Sequence, residues 1–461
     1  MPRHIYSWIF VFTLAGCAVG PDYQPPQLQL PANWQAQVHT EKGSTVTQAW
    51  QQLLQDEPLT QLINEAQQGN LDVQVAMSRL RQARAARGVE KAGLYPELQL
   101  GASSSHTKQN DVSTTTYQTG FDASWELDIF GGKRRAVEAA NAELAASEAS
   151  LADVSVSLTA EVAASYIELR LLQAQQRVAQ TSLQNRLQSQ QLTEWRAKAG
   201  LATELDVEQA RYTVEQSRAE LPALAASIQQ TLNQLAVLVG KAPGSLASLV
   251  PAQEIPQAPV ELYVDIPAEV LQRRPDVREA EATLAAQTAN VGVAIAARYP
   301  SLSLSASIGL EALSAGDLAD ADPLSTLAAN LGWPLFNAGR LKRNVDVQTE
   351  LAEQALLNYQ AVVLAALQDV ESSLLTLNSE QQRLVALTRA REAAERARQL
   401  SQEQYQAGLV GFETVLETER SLLSLQNSEL QSQAALTTAV IQLYKALGGG
   451  WPATQQQAQE P

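Results

Sequence analysis

The sequence predicts a mainly α-helical chain that is interrupted twice by a pair of β-strands. Two stretches without glycine or proline, Lys133–Ala199 and Arg340–Ala407, run for 67 and 68 residues, whereas a mean globular helix has about 11. Two other regions alternate apolar with small or polar residues, which is the period of a strand. Ala, Gln, Leu, Glu and Ser dominate the composition, as long helices with small-residue seams require.

The first 16 residues are typical of a secretory signal. Arg3 and His4 give a positive start, and Ile5–Leu14 is apolar but too short to cross a bilayer as a mature helix. Small residues then precede Cys17, the single cysteine of the chain. We therefore expect residues 1–16 to be removed and Cys17 to carry covalent lipid, since two or more acyl chains anchor stably. A buried thiol behind an uncleaved leader is the alternative.

The composition offers little material for catalysis or metal binding. If Cys17 is acylated, the mature chain has no thiol, so a disulfide framework and a cysteine-based metal site are excluded. The three histidines, His4, His39 and His106, are scattered along the chain. A formal net charge of −16 speaks against nucleic acid as a partner. We expect neither an enzyme nor a metal site, and no cofactor beyond the lipid on Cys17.

The chain contains one internal duplication. Three landmarks recur in the same order: Tyr95-Pro96 at Tyr299-Pro300, Trp125 at Trp333, and Gly200 at Gly408. Their offsets are 204, 208 and 208 residues, a register that chance matches of short motifs would not keep. We predict repeats at 59–240 and 266–447, an insert at 241–265, an N-terminal segment at 17–58 and a C-terminal tail at 448–461.

Each repeat is predicted to hold a helix, two strands and a helical hairpin. The leading helices, Leu59–Gly93 and Ala268–Arg298, stop at Tyr-Pro because the residue before proline leaves the α region. The expected strands cover about 97–106, 116–128, 301–311 and 324–336, joined by loops at Thr107–Thr116 and Ser314–Pro323. The hairpins cover about 133–240 and 340–447, they turn at Gly200 and Gly408, and Pro222 predicts a kink.

The four strands have one apolar face and one small or polar face. Strands of about ten residues with this alternation are typical of an outer-membrane barrel, and a pair of soluble hairpins is the alternative. Four strands cannot close a barrel, because the smallest single-chain barrels have about eight. An open sheet edge cannot lie in lipid. If the strands cross a membrane, several protomers must therefore share one barrel.

With these features in place, the chain resembles the TolC-like outer-membrane efflux family, and specifically its lipoprotein branch. The segments that carry the resemblance are Cys17–Tyr23, Leu235–Gly240 followed by Pro243-Gly244, Arg273–Arg278 and Trp333–Arg340. The resemblance covers nearly the whole mature chain. It implies a homotrimer in which the hairpins form an α-barrel tunnel through the periplasm, and four strands per protomer form a shared twelve-stranded β-barrel.

The resemblance also implies a function. The chain would be the outer-membrane channel of a tripartite efflux pump in a Gram-negative bacterium, lipid-anchored, with a long periplasmic portion. Its partners would be a periplasmic adaptor protein, an inner-membrane efflux transporter and outer-membrane lipid. Ala18 is consistent with the outer membrane, since bacterial lipoproteins retained in the inner membrane typically carry Asp there. A duct for polypeptide secretion and a non-conducting structural lipoprotein of the envelope are the alternatives.

Some residues near the hairpin turns match the family's closing network. By position, Tyr405 matches a closing tyrosine, Glu417 a pore-facing acidic ring, Arg420 a basic partner and Asp206 an acidic member of the first repeat. Glu413 lies one turn before Glu417 and is a candidate for a second ring. Three copies of an acidic side chain around an axis would attract cations and resist anions. An ordinary solvated helix face is the alternative.

The turn glycines have two expected roles. Gly200 and Gly408 should permit tight reversal with positive φ, and the resemblance implies that these turns also dock the adaptor. One departure concerns Val410, which stands where some family members have a basic latch residue. The latch of this chain is therefore expected to differ from theirs.

Overall fold

The computed structural model describes residues 18–27, 31–36, 54–246, 251–257 and 267–449. Within them the helices are α1 Glu57–Gly69, α2 Leu71–Ala92, α3 Gly132–Lys198, α4 Glu204–Leu238, α5 Pro267–Arg273, α6 Pro275–Ala296, α7 Arg340–Gln406 and α8 Phe412–Ala446. The strands are β1 Glu97–Gln109, β2 Val112–Leu127, β3 Ser301–Ala312 and β4 Pro323–Gly332. The predicted signal, Cys17, and parts of the insert and both tails lie outside the described residues.

The chain divides into two compact units, and each unit draws segments from both repeats. One comprises the described parts of 1–27, 78–148 and 279–361, and it contains the sheet. The other comprises the described parts of 28–77, 149–278 and 362–461, and it contains the hairpin turns. Duplication and compact packing therefore divide the chain differently.

The first leading helix is two helices, because Asn70 interrupts it. The backbone of Asn70 is extended, with φ −63° and ψ 133°, and its N–H still donates to the Ala66 carbonyl. Its side-chain Oδ1 accepts from the N–H of Asp72 at 2.8 Å. Asn70 thus closes α1 and caps α2 with the same residue, as asparagine favours at helix ends.

The second leading helix is interrupted at Arg274, directly before Pro275. Proline disfavours the α region for the residue that precedes it. The buried Arg274 guanidinium contacts Asp276 at 2.7 Å, Asp369 at 3.1 Å and the Ala446 carbonyl at 2.9 Å. The Arg-Arg-Pro-Asp motif of the sequence is therefore a structural joint between helices.

The sheet is antiparallel, in the order β1-β2-β3-β4. The expected loop over Thr107–Thr116 is wrong, because β1 and β2 pair along it and only Asn110 and Asp111 turn the chain. These two residues have φ of +48° and +64°, the left-handed values of a type I′ hairpin turn. In contrast, β4 ends at Gly332 and not at 336. Pro334, which has no N–H to donate to a ladder, follows closely.

The strand register separates the predicted polar and apolar faces. In one row Gln99, Asp122 and Ser307 are paired, and in the next row Leu100, Phe121 and Ile308 are paired. Neighbouring residues in a strand point to opposite sides, so each row belongs to one face. Among the described residues, side chains of the apolar face are strongly exposed: Leu100 is 70% and Leu327 is 81% exposed.

The core of the second unit lies among the helical hairpins. Its side chains that are at most 1% exposed include Tyr166, Ile167, Leu235, Ile441 and Leu443. α4 continues through Pro222 without a break in its helical assignment. Over the described residues, none of the helices has the length and apolarity needed to cross a membrane.

Candidate gate at the helix turns

The turns of the two hairpins are built alike. Gly200 has φ +73° and Gly408 has φ +75°, values that strain any residue with a Cβ. After Gly200, the N–H of Leu201 donates to the Arg196 carbonyl at 2.8 Å, and after Gly408, Leu409 donates to Gln404 at 2.9 Å. These are the long-range bonds of a Schellman motif. Both glycines therefore lie in left-handed turns, one in each repeat.

Asp206 caps the helix that follows the first turn. Its carboxylate accepts from the backbone N–H and the hydroxyl of Thr203, both at 2.8 Å, and its own N–H donates to Thr203 Oγ1 at 3.2 Å. This reciprocal arrangement is a capping box. The cap is a role for Asp206 that the sequence analysis did not foresee. In the second hairpin the N-cap residue of α8 is Gly411, which has no side chain to cap the helix.

Tyr405 is 4% exposed and sits between the two hairpins. Its hydroxyl lies 3.3 Å from Thr193 Oγ1 of α3. Its ring centroid is 5.5 Å from that of Phe412, and the Arg196 guanidinium lies 4.6 Å from the ring centroid. Arg196 also donates to the Gln406 carbonyl at 3.1 Å. We call Thr193, Arg196, Tyr405 and Phe412 the tip lock, because together they join α3 to α7 and α8.

The sequence analysis found Tyr405 but missed its partners. Thr193 and Arg196 lie seven and four residues before Gly200, so the sequence places them only beside the first turn. Nothing in their residue types marks them as functional. A positively charged group over an aromatic face contributes about 0.5–2 kcal/mol, and this contact is visible only when the two hairpins are packed together.

Glu413, Glu417 and Arg420 are exposed along one face of α8. Their spacing of four and three residues keeps them on neighbouring turns of that face. Arg420 donates to the Tyr212 hydroxyl of α4 at 2.6 Å, a second link between the hairpins that the sequence did not suggest. Val410, at the departure from the family pattern, is half-buried against the tip lock.

Glu419 lies on the opposite, buried face of α8 and is 9% exposed. Its carboxylate accepts from Ser189 Oγ of α3 at 3.1 Å. Burial raises the pKa of Glu419, although the Ser189 hydrogen bond and the charges of Arg186 and Arg398 act in the opposite direction. The sequence analysis did not select this residue, because a glutamate next to Arg420 is typical of a solvent-exposed helix face.

The side chains around the two turns differ in their exposure. Over the described residues, no group of three or more His, Cys, Asp or Glu side chains is placed to hold a metal ion. The arrangement consists of an exposed acidic face, a buried aromatic lock and two glycine turns. It brings Tyr405 together with α3, and it leaves Glu413 and Glu417 open to solvent.

The chain directly after Cys17 is held at the junction of β2 and α3. The N–H of Val19 donates to the Phe130 carbonyl at 3.1 Å. The Arg135 side chain contacts Asp22 at 2.6 Å and donates to the Val19 carbonyl at 3.2 Å. Ala18 packs so closely on Gly131 that a Cβ there would lie 2.7 Å from it. Cys17 itself lies outside the described residues.

Known proteins share this sequence and this fold. A family model described as outer membrane efflux protein matches residues 62–241 and 266–449, close to the two predicted repeats. The pyoverdine export outer membrane protein OpmQ of Pseudomonas aeruginosa is 35% identical, with 96% of each chain covered. The cation efflux system protein CusC of Escherichia coli is 30% identical, with 98% of this chain and 99% of that protein covered.

Solved structures agree with this comparison. The outer-membrane channel OprN superimposes with a TM-score of 0.89 at 33% identity, covering 94% of this chain and 100% of that chain. The resemblance drawn from the sequence and the predicted combination of long helical hairpins with four strands are thus confirmed. The chain belongs to the outer membrane efflux protein family.

Proposed function

We propose that this chain is the outer-membrane channel of a tripartite efflux pump, shut at its helix turns when it is not engaged. As a member of the outer membrane efflux protein family, the chain is a transport protein of the Gram-negative outer membrane. The main structural support for a channel is the sheet. It has one exposed apolar face, one polar face and two open edges.

The open edges support a trimer. β1 and β4 each pair on one side only, and unpaired backbone groups are costly in hydrocarbon. In an antiparallel sheet of four strands the first and last run in opposite directions. β4 of one protomer can therefore pair antiparallel with β1 of the next. Three copies give a closed barrel of twelve strands, with the apolar faces toward lipid and the polar faces toward the lumen.

The gate is proposed at the glycine turns. The tip lock holds the hairpins of one protomer together, and Arg420 adds its link to Tyr212. In the trimer, Glu417 and Glu413 would form two acidic rings around the axis. Such rings concentrate cations and raise the barrier for anions. Asp206 contributes indirectly, because it fixes the start of α4 next to the first turn.

The contacts of Ala18 and Val19 support a lipid anchor on the preceding Cys17. Ala18 and Val19 are held against the turn from β2 into α3, at the end of the sheet where β2 leads into the helices. A residue directly before Ala18 would therefore lie near the membrane surface if the sheet is in the membrane. Covalent diacylglycerol and an amine-linked acyl chain there would add a second mode of attachment beside the barrel.

The partners are a periplasmic adaptor protein and an inner-membrane efflux transporter. The adaptor would dock at Gly200 and Gly408, where Leu201 and Leu409 are 67% and 76% exposed. Both leucines would lose apolar surface to water if an adaptor docked on the turns, which favours such a contact. The names of the relatives include pyoverdine export and cation efflux. We propose drugs or other small toxic solutes as substrates here, with polypeptide export as the second candidate.

Reconstitution tests this function. The purified protein should run as a trimer in mild detergent and should release an entrapped small dye from liposomes when the tip lock is broken. A Tyr405→Phe variant removes the hydroxyl contact with Thr193 and so weakens the lock. Tyr95→Phe, at a tyrosine that is 73% exposed, serves as the matched control. A monomer that releases no dye in any variant would contradict the proposal and favour a structural lipoprotein.

A further inference from the structure

Glu419 is a buried carboxylate at the contact between the two hairpins. Its neighbours Glu417 and Arg420 are exposed, whereas Glu419 is 9% exposed because it points toward α3. The hydrogen bond from Ser189 Oγ, 3.1 Å long, joins α3 of the first repeat to α8 of the second. A charged group in this position has lost most of its water and has one neutral donor in return.

The charges around Glu419 attract it from neighbouring helices. Arg186 of α3 is 6% exposed, and its guanidinium donates to the Thr213 carbonyl at 3.0 Å and to Ser217 Oγ at 2.8 Å, both on α4. Arg398 of α7 donates to Gln402 at 3.3 Å. Both arginines act on Glu419 through their charge. Arg186 is thus fixed to α4, whereas Arg398 bonds to Gln402 and keeps a buried Nε without a hydrogen-bond partner.

A cavity with charged groups in its lining adjoins this carboxylate. It has a volume of about 520 Å³, and its charged lining groups are Arg177 of α3, Glu395 and Arg398 of α7, and Glu419. Space of this size beside an ionisable group lets water reach the carboxylate if α8 shifts away from α3. The ionised form of Glu419 is therefore less stable in the packed position than in the hydrated one.

We propose that Glu419 is a proton-sensitive fastener between the hairpins, which holds α8 on α3 when it is protonated and favours their separation when it is ionised. The proposal rests on the channel function proposed above. A protonated carboxyl fits the packed contact because it needs no hydration, and it can still bond with Ser189. An ionised carboxyl is more stable in a tip that has admitted water.

The direction of the pH effect follows from linkage. Burial raises the pKa of Glu419 in the shut tip, whereas a hydrated glutamate in an open tip has a pKa of about 4.3. The shut state therefore binds the proton more tightly, and opening becomes easier as pH rises from that ordinary value to the raised one. In this window the open-to-shut ratio rises at most about tenfold per pH unit for each protomer.

Planar-bilayer recordings between about pH 4.5 and 8 test the fastener. The wild-type open probability should rise with pH, whereas Glu419→Gln, which mimics the protonated form, should stay low and change by no more than about twofold. Glu419→Asp keeps an ionisable group and should restore the slope. The control Glu208→Gln removes an exposed carboxylate of α4 and should behave as wild type. A full pH slope in Glu419→Gln would overturn the proposal.

Two further measurements separate this proposal from the channel function. Glu417→Gln should lower cation selectivity and keep the pH slope, which distinguishes the exposed ring from the buried carboxylate. If no variant conducts, the channel function fails, and hydrogen exchange of residues 412–426 still decides the fastener. After correction for intrinsic rates, wild-type protection should fall with rising pH and Glu419→Gln protection should not. Equal protection profiles in the two proteins would reject the fastener.

Discussion

The hydroxyl of Tyr405 lies 3.3 Å from the hydroxyl of Thr193. This hydrogen bond and the one from Arg196 to the Gln406 carbonyl join the ends of two helices from different repeats. Tyr405 is otherwise enclosed by the Arg196 guanidinium and the Phe412 ring. The contact lies beside both glycine turns, where the two hairpins end. We infer that the stability of the shut tip depends on this cluster more than on the exposed charges of α8.

Removal of this hydrogen bond should loosen the tip without unfolding the protein. Thr193→Val leaves the Tyr405 hydroxyl buried without its partner, at a cost of about 1–3 kcal/mol, and should make the turns more susceptible to protease. Limited proteolysis followed by mass spectrometry measures this susceptibility. Thr349→Val, at an exposed position of α7, is the control. Equal cleavage rates in the two variants would show that the tip lock does not hold the tip.

The turn glycines should resist substitution. Gly408 has φ +75°, so Gly408→Ala forces a Cβ into the left-handed region at a cost of roughly 1–2 kcal/mol. We expect a lower melting temperature by circular dichroism and weaker binding of an adaptor. Gly88→Ala is the matched control, since Gly88 lies in α2 with open space around it. Alanine in that helix should be neutral or stabilising by about 0.5–1 kcal/mol. Equal melting temperatures for the two variants would contradict the prediction.

One glycine of the sheet should be essential for closure. A Cβ on Gly120 would lie 2.6 Å from the Gly309 Cα and from the Ile308 carbonyl oxygen, both of them backbone atoms that cannot move aside. Gly120→Ala should therefore reduce the yield of heat-resistant trimer on unboiled gels. Gly101 pairs with Gly120, but a Cβ added to Gly101 would lie 3.7 Å from the nearest atom, a carboxylate oxygen of Asp122. Gly101→Ala should assemble normally, and equal loss in both variants would point to a general effect.

Loss of the anchor should leave the barrel intact. Cys17→Ser removes the acylated thiol, so radiolabelled palmitate should no longer be incorporated, while a trimer should still form because the strands close it. Ala18→Ser, next to the cysteine, is the control and should keep the label. Labelling of Cys17→Ser at the wild-type level would contradict the predicted lipid site. Loss of the trimer in that variant would show that the anchor is needed for assembly.

The features that depend on local periodicity were predictable from the sequence. The repeat offset, the glycine turns and the strand alternation each follow from residue type and spacing, and the register confirms that Asp122 and Phe121 lie on opposite faces. The break at Asn70 was not predicted. An asparagine there ends one helix and caps the next through local hydrogen bonds, an option that hydrophobic periodicity does not reveal.

The site was less predictable because its contacts join distant parts of the chain. Glu417 and Glu419 differ by two residues, yet one is exposed and the other buried, since the packing of α8 on α3 decides which face is covered. The hydrogen bond between Arg420 and Tyr212 spans 208 positions. Asp206 was assigned to the closing network by position, whereas its described contacts are those of a helix cap.

Single-channel conductance in a planar bilayer tests the central claim, that the chain is a channel gated at its helix turns. Wild type should be recorded beside a Tyr405→Phe, Glu417→Ala double variant under the same salt conditions. We predict a low wild-type conductance that rises in the double variant, together with weaker cation selectivity. A large wild-type conductance that the substitutions leave unchanged would contradict the gate. The absence of conductance in both proteins would contradict the channel itself.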